Sequence, residues 1–548
     1  MRSIFFVASL TLLVFLSSFT FAQDYDLAGA SKPRPQLSLK GTGDNQYKRV
    51  HQYALRLLIN GEADGSEKFL EKHLAKHPED EETHFLLGVV TAQQGDAAAA
   101  ANWLKKAVDL GLPPGRIVAG PRELLAEAIQ QPALREIVEA QKSRPVHGPL
   151  IGSTTDTSVS IWLRTAQEAD VQVQVRGGRQ VVKSDPVRSK QEDDFSVVVT
   201  LSGLQPATEY TYSIQIGDGA PIESDVQRFK TFPATGKPGK FSIAFGGGAG
   251  YVPPHERMWD TIRERHPDAL LLLGDNVYID DPESPHLQRY TYYRRQSRPE
   301  WHKLTAQTPT YTIWDDHDFS TNDSWGGPKI DAPFWKRDYS WDIFRENWAN
   351  PGYGDGFEQP GCWYQFKIAD VDFVMLDCRY YRTSPRDKNP TMLGPVQMEW
   401  LKEALKNCDG TFKVICSSVP WDFRTKGDSL DTWNGFKKER EEIFRFLEDN
   451  KIEGVALMSA DRHRSDAWHI ERPNGYGFYE FNSSRLTNQH VHPTMVKQGA
   501  IFSYNKKQSF GLVTFDTAAD KPAVTYDVYS IDGEKIDSLT VDRSKLSY

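Results

Sequence analysis

Cysteine is scarce: the 548 residues hold four, Cys362, Cys378, Cys408 and Cys416, all in the C-terminal half. None stands at the short paired spacing of a zinc finger, which excludes a cysteine-built zinc module and leaves one disulfide or ordinary buried thiols as the alternatives. No run of Lys and Arg stands out and the net charge is −9, so there is no basic patch of the kind a general nucleic-acid binder carries. Past residue 16 no apolar run reaches the roughly 20 residues that a membrane-spanning helix needs, so no membrane span is expected. The stretch 233–240 lacks the Gly-Lys-Ser/Thr ending of a phosphate-binding P-loop and reads as a flexible boundary.

What is present divides into modules. Met1-Arg2-Ser3, an apolar stretch over residues 4–16 and small residues up to Ala22 precede the acidic Asp24. That order predicts a secretory signal over 1–22, cleaved after about Ala22, and hence a secreted or periplasmic protein. Residues 23–46 read as a linker. Residues 47–142 carry Ala, Leu, Glu and Lys at helical spacing. Within them, 81–114 fits one tetratricopeptide (TPR)-like unit through Leu87-Gly88, Gly95, Ala100, Leu104, Ala107 and Pro113-Pro114. One repeat cannot stand alone as a solenoid, so the module reads as a cap on the rest of the chain, with a protein-docking surface as the alternative. Residues 145–233 alternate apolar and polar in short strands and read as a β-sandwich scaffold. The segment from Leu204 to Tyr212 resembles the tyrosine corner of fibronectin type III domains, and Trp162 sits where such a sandwich buries its core Trp.

From 241 to 530 short buried strands alternate with helical stretches, the pattern of an α/β domain, and residues 531–548 read as a C-terminal tail. Apolar strands run repeatedly into polar clusters. The first is Gly274-Asp275-Asn276-Val277-Tyr278-Ile279-Asp280-Asp281, the second Trp314-Asp315-Asp316-His317-Asp318-Phe319-Ser320-Thr321-Asn322-Asp323, the third Ser459-Ala460-Asp461-Arg462-His463. Ligands of open α/β sheets sit beyond the carboxyl ends of strands, so the three clusters are expected on one rim. Charge as dense as that of the second repels itself unless cations compensate it. Asp461 and His463, two apart on an extended segment, would point the same way and ligate adjacent metals. Taken singly, each motif also reads as an ordinary turn or solvated loop.

These three clusters, with Leu376-Asp377-Cys378-Arg379-Tyr380 and Leu393-Gly394-Pro395-Val396-Gln397-Met398-Glu399-Trp400-Leu401, resemble in order the motifs of PhoD-like alkaline phosphatases and phosphodiesterases. The resemblance covers residues 145–530 and implies a β-sandwich followed by a calcineurin-like metallophosphatase domain, a layered αββα sandwich. It implies hydrolysis of small phosphate esters by a metal-activated hydroxide and two or more metal ions, calcium and ferric iron. By the same resemblance Asp275 bridges the metals, Tyr278 and His463 join the ferric side, and Asp316, Asn322 and Asp461 face the other. His317 contacts the phosphate and assists the leaving oxygen, and Arg379 clamps the phosphate. One position departs from the family: Gly248 stands where the family carries a cysteine ligand. That puts iron in question and opens the pocket to calcium, magnesium or manganese. His255 is a candidate replacement, its alternative being a solvent-facing histidine at a helix start. The competing function is a catalytically decayed secreted binding protein that uses the helical and sandwich modules.

Overall fold

The computed structural model describes residues 47–548; the expected signal and linker lie outside them. The described chain begins with four helices, α1 (Tyr47–Ile59), α2 (Ala63–Leu74), α3 (Glu81–Gln93) and α4 (Ala97–Asp109). Apolar residues at spacings of three and four, such as Ala54, Leu55 and Leu58 of α1 and Ala100, Leu104 and Ala107 of α4, form one buried cluster. Leu287 and Tyr290, from the helix Pro285–Gln296, complete that cluster. The helices are therefore packed on the C-terminal domain. Among the described residues no helix is long and apolar enough to cross a membrane.

The β-sandwich comprises β1 (His147–Gly152), β2 (Ser158–Arg164), β3 (Asp170–Gly177), β4 (Gln180–Lys183), β5 (Val187–Arg188), β6 (Ser196–Ser202), β7 (Glu209–Ile216) and β8 (Arg228–Lys230). One sheet runs β1-β2-β6 and the other β4-β3-β7-β8, with β5 beside β3. The Tyr210 hydroxyl accepts from the Gln205 amide at 2.9 Å. Trp162 does not fill this core. Side chains alternate along a strand, so Val159, Ile161 and Leu163 face the sandwich, whereas Trp162 packs into the core of the following domain and donates to the Glu346 carbonyl at 2.9 Å.

Two mixed sheets build the C-terminal domain. The first contains β9 (Lys240–Gly246), β10 (Ala269–Leu273) and β11 (Thr310–Ile313); the second contains β12 (Tyr364–Ile368), β13 (Val371–Met375), β14 (Phe412–Cys416), β15 (Val455–Ser459), β16 (Ser465–Ile470), β17 (Phe478–Asn482) and β18 (Phe502–Tyr504). The chain then returns to the first sheet through β19 (Ser509–Asp516), β20 (Ala523–Ser530) and β21 (Lys535–Asp542), giving the order β11-β10-β9-β19-β20-β21. The second sheet runs β12-β13-β14-β15-β17-β16-β18. Central strands such as β10, β13 and β15 are buried along their whole length, as parallel strands covered on both faces must be. Phe241 and Phe515 of the first sheet meet Phe373 and Phe412 of the second, so the sheets pack face to face. Residues 531–548 are not a loose tail: β21 pairs along β20 from Ala523↔Asp542 to Tyr529↔Lys535. Its mostly exposed polar side chains suit an edge strand.

Candidate metal centre

The loops that follow β10, β11 and β15 meet in one cleft of about 370 Å³. Its wall holds Asp275, Tyr278, Asp316, His317, Asn322, Asp461 and His463, together with Arg49, Asp323, Lys426, Arg462, Asn488, His490 and His492. Asp275 (φ 53°), Asp280 (φ 55°), Asp323 (φ 59°), Asp461 (φ 65°) and His463 (φ 49°) all adopt left-handed backbone. Such conformations are tolerated by Asp and His but cost free energy, and they concentrate at functional sites. Asp461 and His463 are thus aimed by two left-handed turns in a loop, not by the extended segment expected from their spacing.

The first two motifs are tied to each other. The Ile279 amide donates to the His317 carbonyl at 3.0 Å, and the Val277 amide to Asp318 Oδ1 at 3.0 Å. The crowded carboxylates of the second motif then separate by environment. Asp315 accepts from Arg379 Nε at 2.6 Å and from Ser418 at 2.8 Å. Asp318 binds loop amides. Asp316 faces the cleft and accepts from the Asp323 amide at 2.6 Å.

Ligand atoms of Asp275, Asp316 and His317 lie within 4.8 Å of one another, and so do those of Asp316, Asp323 and Asp431. Asp431 is already bound by Arg379 and Arg382, each at 2.8 Å, and by Lys426 at 2.9 Å, so its charge is matched by the protein's own cations. A third group, His51, His73 and Asp80, lies among α1 to α3.

Burial pushes the Asp275 carboxyl well above its ordinary range; His317 opposes the rise and Asp316 and Asp315 add to it. Asp275 Oδ1 is buried without a hydrogen-bond partner. A buried, partnerless carboxylate oxygen among like charges is the environment a cation relieves. The Tyr278 hydroxyl donates to Asp275 Oδ2 at 2.9 Å and lies 3.4 Å from His463 Nε2. Burial holds His463 well below its usual pKa, and its Nδ1–H points at the His490 carbonyl at 3.0 Å, leaving neutral Nε2 to face the cleft. Burial would lift Asp461, but Lys426 and Arg462 outweigh it and hold the carboxylate at about 2. For His317, burial opposes protonation, yet Asp280, Asp316 and Asp275 prevail and raise it to about 10. Its Nδ1 is 2.5 Å from Asp280 Oδ1. The donors on the wall thus fit hard cations: carboxylates, a phenol, amide oxygens and imidazole, with no thiol.

Three of the expected positions lie off the cleft wall. Arg379 is sealed from solvent between Asp315 and Asp431, so it organises the carboxylates from behind and cannot clamp a phosphate. Gly248 stands beside the site with φ 71°, its amide 3.3 Å from the Gly274 carbonyl, and is not on the cleft wall; the nearby Asn488, whose amide donates to the Gly248 carbonyl at 3.0 Å, is. His255 lies outside the cleft and contacts the Thr487 carbonyl at 3.0 Å. Sequence reasoning missed Arg49, Lys426, Arg462, Asn488, His490 and His492. The alternating Asn488-Gln489-His490-Val491-His492 was a usable signal, because alternate residues of an extended segment share a face.

A family model described as PhoD-like phosphatase matches residues 243–526, and one described as a domain of unknown function, DUF7800, matches residues 142–233. Alkaline phosphatase D of Bacillus subtilis (strain 168) is 23% identical over 368 residues, covering 59% of this chain; the match spans 61% of the length of that relative. The solved structure of PhoD is similar with a TM-score of 0.59 at 19% identity, over 72% of this chain and 92% of the other. Purple acid phosphatase PPD1 from yellow lupin (Lupinus luteus) seeds gives 0.54 at 14% identity, over 73% and 75%. At these identities the structural likeness speaks for the fold.

Proposed function

The chain belongs to the PhoD-like phosphatase family, and on that premise we propose that it is an exported, metal-dependent phosphoesterase acting on small phosphate esters. The observation that carries this reading is the convergence of Asp275, Tyr278, Asp316, His317, Asn322, Asp461 and His463 on one cleft. Export rests on the N-terminal signal pattern. Asp275, Tyr278 and His463 would hold one cation and Asp316, Asn322 and Asp461 another, with Asp275 between them. Bound there, such ions neutralise phosphate oxygens and lower the pKa of water. The oxygen-rich donors and the absence of a thiol favour calcium, magnesium or manganese over a thiolate-held iron.

The protein's own groups complete the chemistry. With Nδ1 held by Asp280, His317 turns Nε2 to the cleft, and an imidazolium stabilised by that carboxylate is placed to donate to the departing alkoxide. Lys426, 3.2 Å from Asp461, and Arg462, 3.4 Å from it, keep that carboxylate ionised and aimed. A decayed binding site has less support, since Asp275, buried among like charges with Oδ1 unpartnered, opposes folding unless a cation compensates it.

Elemental analysis of the purified protein, with hydrolysis of a chromogenic monoester and diester in the presence and absence of chelator, tests the proposal. Bound metal and chelator-sensitive turnover, lost in Asp316→Ala, are expected. Protein that stays metal-free and inert when supplied with calcium, magnesium, manganese and iron would overturn it.

A further inference from the structure

The cleft has one wall residue that the matched family region does not supply. Arg49 belongs to α1, far upstream of residue 243, yet it lines the cleft with the candidate metal ligands. Its neighbours explain how it gets there. Arg49, Gln52 and Arg56 are three and four residues apart, so they share one face of α1. Each reaches the loop that follows β10. Arg49 Nη1 pairs with Asp280 Oδ2. Gln52 Nε2 donates to the Tyr278 carbonyl at 2.5 Å, and Arg56 Nη2 is 3.2 Å from Asp281. Behind α1, Leu287 and Tyr290 are buried with Ala54, Leu55 and Leu58. The Tyr290 hydroxyl donates to Glu82 Oε1 at 2.7 Å, and Glu82 is in turn bound by Arg116 at 2.6 Å. The helix is therefore held against the site by apolar packing behind it and by the polar contacts of Arg49, Gln52 and Arg56 on its other side, while Tyr290 and Glu82 tie α3 of the same module to the C-terminal domain.

We propose that Arg49 is a substrate-contact residue, so that the helical module completes the phosphate-binding wall of the cleft. Of the three cations on that wall, Lys426 and Arg462 lean on the site's own carboxylates Asp431 and Asp461. Arg49 instead meets Asp280, a carboxylate whose other oxygen already serves His317. That pairing engages one nitrogen of a planar fork carrying five N–H donors, and the Arg49 side chain keeps 19% of its surface open. A guanidinium held this way, beside the proposed proton donor, matches the three unesterified oxygens of a phosphate monoester better than the two of a diester. The inference rests on the phosphoesterase reading and narrows its substrate class to monoesters.

The test compares metal-loaded wild type with Arg49→Ala, Arg49→Lys and Arg56→Ala. It reads kcat and KM on a monoester and a diester and, by calorimetry, the affinity for inorganic phosphate. Loss of one charge-assisted contact is expected to weaken phosphate binding and monoester kcat/KM by about 10–100-fold. The loss should fall mainly on KM, be smaller for the diester, and be partly restored in Arg49→Lys. Arg56→Ala, which alters the same helix face away from the cleft, should change either quantity less than about threefold. Unaltered phosphate affinity in Arg49→Ala would overturn the contact, and so would equal losses in Arg49→Ala and Arg56→Ala, which would reduce α1 to a support. Wild-type protein with neither metal nor turnover would instead be a failure of the phosphoesterase reading itself.

Discussion

Asp315, Asp316 and Asp318 stand within four residues, yet their surroundings give them different tasks. Asp315 takes the charge of Arg379, Asp318 pins the amides of Val277 and Asp315, and Asp316 faces the cleft. Arg379 shows the same sorting: an arginine that reads as a phosphate clamp is enclosed by acids before any phosphate could reach it. At this scale His317 makes the sharpest prediction. His317→Ala should lower kcat by about 10²–10⁴-fold on an alkyl phosphate, whose leaving oxygen needs a proton. The loss should be far smaller on nitrophenyl phosphate, whose phenolate leaves unprotonated. Steady-state kinetics on both esters check this, and equal losses would remove His317 from the donor role.

The elements matter through their carboxyl ends, where β9, β10 and β15 release their loops side by side. A Cβ on Gly247 would stand 2.7 Å from Ala460 Cβ and 2.8 Å from the Gly274 carbonyl, closer than atoms tolerate. Gly247→Ala should therefore separate the loops bearing Asp275 and Asp461 and destabilise the protein by about 1–3 kcal/mol. Reduced metal stoichiometry should accompany the loss. Urea unfolding and elemental analysis measure both, and an unchanged midpoint would show that the loops yield without strain. The strand ends were legible in the sequence because an apolar run of five residues followed by acids has few other uses in a buried sheet. The left-handed turns at Asp461 and His463 were not, since backbone conformation depends on what each side chain must reach.

In the molecule as a whole, three modules share buried surfaces. Trp162 fastens the sandwich to the Glu346 carbonyl, the Tyr212 hydroxyl donates to the Ala306 carbonyl at 2.7 Å, and α1 closes on the cleft from the other module. Global stability should respond to metal in a pH-dependent way. The charge of Asp431, with burial, raises Asp323 to about 7, and burial lifts Asp275 well above the usual range. An acid whose folded pKa is raised holds its proton at low pH and destabilises the metal-free fold as pH climbs through that value. Metal binding must displace those protons, so the rise in melting temperature on adding metal should grow between about pH 5 and pH 8. Saturation at 100 times Kd is worth about 2.7 kcal/mol. Thermal scans with metal and with chelator across that range check it, and a pH-independent increment would mean that Asp275 is not a ligand and that no ion lies close enough to Asp323 to displace its proton.

The sequence by itself determined the three-part order of the described chain and pointed to Asp275, Tyr278, Asp316, His317, Asp461 and His463 of the cleft, because apolar periodicity and polar clusters at strand ends are local signals. It also determined that no thiol is present at Gly248. Tertiary structure decided the rest. Trp162 turned outward because its strand has a second buried face, residues 535–542 became an edge strand because β20 offered it a partner, and Arg379 was withdrawn by acids distant in the chain. Arg49 entered the site because α1 is seated on Tyr278, Asp280 and Asp281. Trp162 depends on a partner 184 residues away, α1 on one 226 away and Arg379 on acids 64 and 52 away, and contacts at such separations are not written in local pattern.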